Sequence, residues 1–167
     1  MAGRSEHDQA DWWVRAIAVF AAEPRVEHIG IYEIKDLEPV RPAIGDAPNY
    51  HLGLTRTDRS KKLAFHTVRM MVELFRRPVT FDPPRTTGAA AGEVFAYAFT
   101  RDDGRQLVAA WTKAADRTVD ISVNRPATRA IEHRLDASTA PYSRFAGRML
   151  SHVTLHQGTA RLFELIP

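Results

Sequence analysis

Few side chains in this sequence could do chemistry. His152 and His156 stand four apart, a spacing that ligates zinc on a helix. The residues around them alternate as a strand does, and four strand residues span roughly 13 Å at about 3.3 Å each, too far to share one ion. No metal site is expected there. Asp102-Asp103-Gly104 lacks the remaining ligands of a calcium loop and reads as a turn. No Gly-x-Ser-x-Gly elbow, phosphate-binding loop or dinucleotide fingerprint occurs. With no cysteine, thiolate metal sites, cysteine nucleophiles and disulfides are excluded, and the redox compartment is not readable. What remains is Tyr32, Glu33 and Asp36, at and just beyond the end of an apolar run. Tyr32 can line a site or sit in a core, and Asp36 can line the same site or brace a loop. A lone Glu33 can contact a hydroxyl or anchor a loop, but it lacks the second carboxylate that paired acid and base work requires.

The elements that position these residues follow from period and punctuation. Ser5 followed by Asp8 resembles a helix N-cap, and Trp13, Ala16, Ile17 and Phe20 recur at helical spacing until Glu23-Pro24 stops the run. Asp11 and Arg15 can pair on another face. From Val26 to Ile34 both parities carry apolar residues, the mark of a strand covered on both faces, as in parallel sheets. Lys35 to Tyr50 then form a Pro-rich loop, longer than the usual connection of about 4–6 residues. Thr57-Asp58-Arg59-Ser60 offers caps for a second helix bearing Ala64, Val68, Met71 and Phe75, which Pro78 ends. The order is helix, strand, loop, helix, with no partner strand in that region.

Past Pro78 the period changes to two. Glu93–Phe99 and Arg105–Trp111 flank Arg101-Asp102-Asp103-Gly104, a hairpin with Gly where φ must be positive. Further strands are expected at Thr118–Val123, Thr128–Leu135, Arg148–Leu155 and Thr159–Leu165, which together imply an antiparallel sandwich or barrel. Pro83 to Gly92 reads as a linker or crossover.

The chain has 167 residues, 44% of them hydrophobic, enough for a real core in one domain or two small ones. A soluble globular protein is expected, since no apolar window approaches the ~18 residues of a membrane span. No secretory signal is visible, so a cytoplasmic location follows if Met1 is the true start. The net charge is +3, but the arginines are scattered and usually lie near Asp or Glu, so no nucleic-acid partner is expected.

One family resemblance joins these pieces. His28-Ile29-Gly30-Ile31-Tyr32-Glu33-Ile34-Lys35-Asp36, then His51-Leu52-Gly53-Leu54, then Ser60-Lys61-Lys62-Leu63-Ala64-Phe65, resembles the closing part of clan A glycoside hydrolases, particularly enzymes similar to family 39 and family 5. Those end a (β/α)8 barrel with a Trp-Tyr-x-x-x-Asp strand, a loop to a Gly-Leu segment and a Ser-x-Lys-Pro-Ala helix, commonly followed by a small β-sandwich. Here Ile31 stands where an aromatic is usual and Leu63 replaces the proline.

The resemblance implies an α+β chain: an incomplete (β/α)8-barrel piece over residues 1–77, then a C-terminal antiparallel β-sandwich over 78–167. It implies a retaining glycosidase that acts on carbohydrate without metal or organic cofactor, with Tyr32, Glu33 and Asp36 lining the sugar site. In this clan both catalytic glutamates follow earlier strands, at the barrel's C-terminal rim, and must stand about 5–5.5 Å apart. They would lie upstream, so the chain is expected to be inactive alone and to need the missing N-terminal barrel portion as partner. Glu6, inside the helix cap, lies past the position of the nucleophile. Residues 1–77 are expected either to dock loosely on the sandwich or to require that partner. Trp12, Trp13 and Trp111 are expected in the core, with Trp111 able to stack on a sugar if exposed. The rival reading is a non-catalytic accessory module that binds carbohydrate or protein through its sandwich.

Overall fold

The computed structural model describes residues 5–37 and 51–167. Among the described residues two helices come first, α1 (Glu6–Ala22) and α2 (Leu63–Phe75). Ten strands follow: β1 (Val79–Phe81), β2 (Arg85–Thr87), β3 (Val94–Arg101), β4 (Gln106–Thr112), β5 (Arg117–Ser122), β6 (Arg129–His133), β7 (Thr139–Pro141), β8 (Phe145–Ala146), β9 (Met149–Leu155) and β10 (Arg161–Ile166). They form a six-stranded sheet in the order β1-β3-β4-β10-β6-β7 and a four-stranded sheet in the order β2-β5-β9-β8. Every strand pairing is antiparallel. The chain is therefore α+β, a β-sandwich with a helical piece.

The six-stranded sheet is the middle of three layers. On one face Phe99, Leu107, Ala109, Trp111 and Leu162 pack with Trp13, Val14, Ile17, Val68 and Met71 of the helices. On the other, Val108, Ala110, Phe163 and Leu165 meet Val119, Ile121, Leu150, Val153 and Leu155 of the second sheet. Adjacent residues of a strand point to opposite faces, so a strand covered on both sides must be apolar at nearly every position. All seven residues of β4 are buried for this reason. The helical piece thus shares a continuous apolar core with the sandwich, a firmer union than loose docking. Each fully buried large aliphatic or aromatic side chain there contributes about 1.5–3 kcal/mol.

Local chemistry explains the ends of elements. Ser5 Oγ accepts the Asp8 N–H at 3.1 Å while Asp8 Oδ2 accepts the Ser5 N–H at 2.9 Å, a reciprocal cap that starts α1 where the sequence places it. The expected cap of α2 does not form. Asp58 instead accepts the backbone and hydroxyl hydrogens of Ser60, at 2.8 and 2.6 Å, closing its own turn, and α2 begins after Lys62 with no side-chain cap. Gly104 has a φ of 83° in the β3–β4 turn, as the hairpin required. The expected linker Pro83 to Gly92 contains β2, which carries the chain from one sheet to the other.

Two hydrogen bonds pin the helices to the sandwich. The buried Ala160 N–H donates to Asp11 Oδ1, and Thr67 Oγ1 donates to the Leu135 carbonyl at 2.5 Å. Asp11 also pairs with Arg15 at 2.8 Å, the expected i,i+4 contact, but it is buried rather than on a solvated face. Burial pushes its carboxyl pKa up against the lowering effect of the Ala160 bond.

Val26–Ile34, expected as a barrel strand whose partners this chain lacks, is not paired as a strand here. It belongs to neither sheet, and Val26, Ile29, Tyr32 and Ile34 are exposed. Among the described residues no backbone hydrogen bond joins Glu27 through Tyr32 to another backbone group. A strand needs a neighbour to satisfy its N–H and C=O groups, and the described residues supply a short bridge at its far end, Lys35 beside Thr55. Trp12 is also half exposed, contrary to expectation, because α1 turns Trp13 inward and Trp12 sits on its open side.

Candidate functional site

The three residues named from the sequence lie together at the end of the open segment. The backbone there is fixed by the piece that returns from His51. The Leu54 N–H donates to the Glu33 carbonyl at 3.1 Å, the Thr55 N–H to the Ile34 carbonyl at 2.9 Å and the Asp36 N–H to the Thr55 carbonyl at 2.8 Å. Gln9 of α1 donates to the Leu52 and Gly53 carbonyls at 2.9 and 3.2 Å, tying the same piece to the first helix. Gly53 is demanded by contact: a Cβ there would stand 2.2 Å from the Asp36 nitrogen. No other residue type fits so close an approach.

Asp36 is the centre of a buried brace. Its Oδ1 accepts the Lys62 ammonium at 2.6 Å and the Gly53 N–H at 2.9 Å, and both charged side chains are about 5% exposed or less. Lys62 Nζ donates in addition to the His51 carbonyl at 3.0 Å, and the exposed His51 ring stands 3.8 Å from Asp36 Oδ2. A buried carboxylate and ammonium are tolerated because each meets the other and further hydrogen-bond partners. Of the two roles open to Asp36, the geometry is that of a loop brace.

Tyr32 and Glu33 are placed differently. Tyr32 is 60% exposed, so it is not a core residue. Glu33 is half buried, and its Oε1 is shielded from solvent with no hydrogen-bond partner among the described residues. A shielded carboxylate oxygen without a donor costs free energy, about 1–3 kcal/mol or more for a charged group. Glu6 pairs with Arg56 at 2.7 Å, a tie between α1 and the returning piece. Trp111 is buried between Phe95 and Tyr97, with ring centroids at 5.8 and 5.2 Å, and no face of it is offered for sugar stacking.

Lys62 is the residue that sequence reasoning left without a role. Its signal was the Ser-x-Lys pattern at Ser60-Lys61-Lys62, but adjacent lysines give no sign of which one turns inward. His152 and His156 do not converge: His152 takes a φ of 53° at an irregularity in β9, and its N–H donates to Asp120, while His156 lies beyond β9 and meets Asp116 at 2.8 Å. A second place where polar groups gather is a cleft of about 480 Å³ where both helix starts meet the sandwich. It is lined by His7, Leu63, Arg134, His156, Thr159 and Arg161, with Arg161 held by both oxygens of Glu132 at 2.6 and 2.7 Å. No protein-family model matches the chain, and no curated protein matches it.

Proposed function

We propose that this chain is the C-terminal part of a retaining glycoside hydrolase and is catalytically silent by itself. The observation that carries the reading is the exposed Tyr32 beside the half-buried Glu33, at the end of a segment whose backbone makes no hydrogen bond to another backbone group among the described residues from Glu27 to Tyr32. The buried Asp36 and Lys62 pair sets the position of that segment's end. In the complete enzyme Glu33 would accept hydrogen bonds from sugar hydroxyls, and Tyr32 would lie along the sugar. The bond-breaking step uses two carboxyl groups, one attacking the anomeric carbon and the other protonating the leaving oxygen, and both belong to upstream strands. The exposed apolar residues Val19, Phe20, Val26 and Ile29 fit the same reading, as a surface that further barrel strands and helices would cover.

The test is hydrolysis of aryl glycosides by the purified chain, alone and mixed with a co-expressed upstream fragment. No turnover alone and turnover in the mixture are expected; turnover by the chain alone would refute the silent reading. The rival, an accessory module binding carbohydrate, draws on the polar cleft between the helix starts and the sandwich. Polysaccharide binding with no hydrolysis in any mixture would favour that module.

A further inference from the structure

We propose that the recess between β8 and an irregularity in β9 binds an organic oxyanion, a phosphate or sulfate monoester on a small carrier with an apolar face. The recess measures about 460 Å³ and is lined by Ser143, Arg144, Phe145, Ala146, Ser151 and His152. None of these belongs to the helical piece, so the inference does not rest on the glycosidase reading.

An uneven pairing builds the recess. Between the facing pairs Val119 with Val153 and Ile121 with Leu150, Asp120 alone stands opposite both Ser151 and His152. Such a bulge re-aims a side chain that a regular strand would direct elsewhere, and bulges gather beside functional sites. His152 takes a φ of 53°, a region that residues with a side chain seldom adopt, and Asp120 Oδ1 accepts its N–H at 2.7 Å. Two further bonds hold Ser151 and Arg144 in place. The Ser151 N–H donates to the Arg144 carbonyl at 2.8 Å, and the Tyr142 hydroxyl donates to the Ser151 carbonyl at 2.7 Å.

The lining selects the charge of the ligand. Arg144 makes no side-chain hydrogen bond or ion pair among the described residues, and the hydroxyls of Ser143 and Ser151 and the ring of His152 make none either. No carboxylate lines the recess, and Asp120, opposite the bulge, has one oxygen committed to the His152 N–H. A guanidinium holds its donors in a planar fork that meets two oxygens of one phosphate or sulfate, and a hydroxyl can donate to a third. A metal ion would be repelled, and a neutral ligand would gain nothing from the charge. The volume exceeds that of a bare oxyanion and falls within the roughly 300–1,000 Å³ of small-molecule sites, which leaves room for a carrier against Phe145 and Ala146.

Heteronuclear NMR of the full chain, titrated with phenyl phosphate, phenyl sulfate and phenol, tests the assignment. At least one ester should shift the amide signals of Arg144, Ser151 and His152 saturably while phenol leaves them in place, and the tighter ester identifies the acid. Arg144→Gln should weaken that binding at least about tenfold, the loss expected with a charge-assisted hydrogen bond, and leave the melting profile unchanged. Arg69→Gln, which removes an exposed cation of α2, should leave the affinity as it was. No saturation by either ester, equal affinity in Arg144→Gln, or the same shifts from sodium chloride at equal ionic strength would overturn the proposal.

Discussion

The sandwich and the helical piece solve the same problem to different degrees. In the sandwich, β4 and β10 find partners on both edges and cover on both faces, so Leu107, Phe163 and Leu165 are wholly buried. The helical piece buries one side of α1 and α2 against that sheet, yet among the described residues it leaves Glu27 to Tyr32 without backbone partners and Val26, Ile29, Tyr32 and Ile34 exposed. Apolar composition alone does not bury a segment; a strand also needs neighbours for its polar backbone. The better-satisfied region carries stability, and the less satisfied one carries Tyr32 and Glu33.

The largest effect that bears on this contrast is expected inside the sandwich. Phe163→Ala removes a wholly buried ring between the two sheets and should cost about 3–5 kcal/mol, read as a lower denaturation midpoint for the whole chain. A loss confined to one sheet would break the picture of two apolar layers that share the six-stranded sheet. Lys62→Ala comes next: stranding the buried Asp36 carboxylate should cost about 3 kcal/mol. Its signature is local, with faster hydrogen exchange at Gly53 and Thr55 and little change in β4.

Acid separates the two regions by sign. His133, and then Arg105 against the opposing effect of burial, hold the Glu164 carboxyl down from an ordinary 4.5 to about 2. The folded chain keeps this group ionised where the unfolded chain takes up a proton, so its stabilisation is full above about pH 4.5 and disappears as pH falls toward about 2. Asp11, at the seam with the helices, runs the other way. Burial raises its pKa above 3.8, so its contribution is full below that value and is lost as pH rises through the raised one. Melting curves across the acid range should flatten in the first window for Glu164→Gln and in the second for Asp11→Asn. The smallest effect is expected at the surface, where Glu6→Ala breaks the exposed pair with Arg56 and should cost under about 1 kcal/mol.

Much of the fold was legible because the sequence and the packing carry the same period. Ser5 and Asp8 cap α1, Asp103-Gly104 turns the β3–β4 hairpin, and alternation places β5, β9 and β10 within a few residues of their bounds. The short strands β1, β2, β7 and β8 were not legible, because two or three residues give no period and their pairing is set by distant partners. The strand expected at Val26–Ile34 shows the converse: its apolar pattern is real, but pattern cannot supply a missing ladder. Tyr32, Glu33 and Asp36 were named from their position in the chain, which does not tell what each side chain meets. The brace was not, since the pairing of Asp36 with Lys62 joins residues far apart in sequence.

The central claim, a well-paired sandwich joined to a segment without backbone partners among the described residues, is tested most directly by hydrogen exchange at residue level. Amides of Glu27 to Tyr32 should exchange at the rate of an unstructured chain, while those of β4 and β10 exchange only through global unfolding. Protection of Glu27 to Tyr32 comparable to that of β4 would contradict the account.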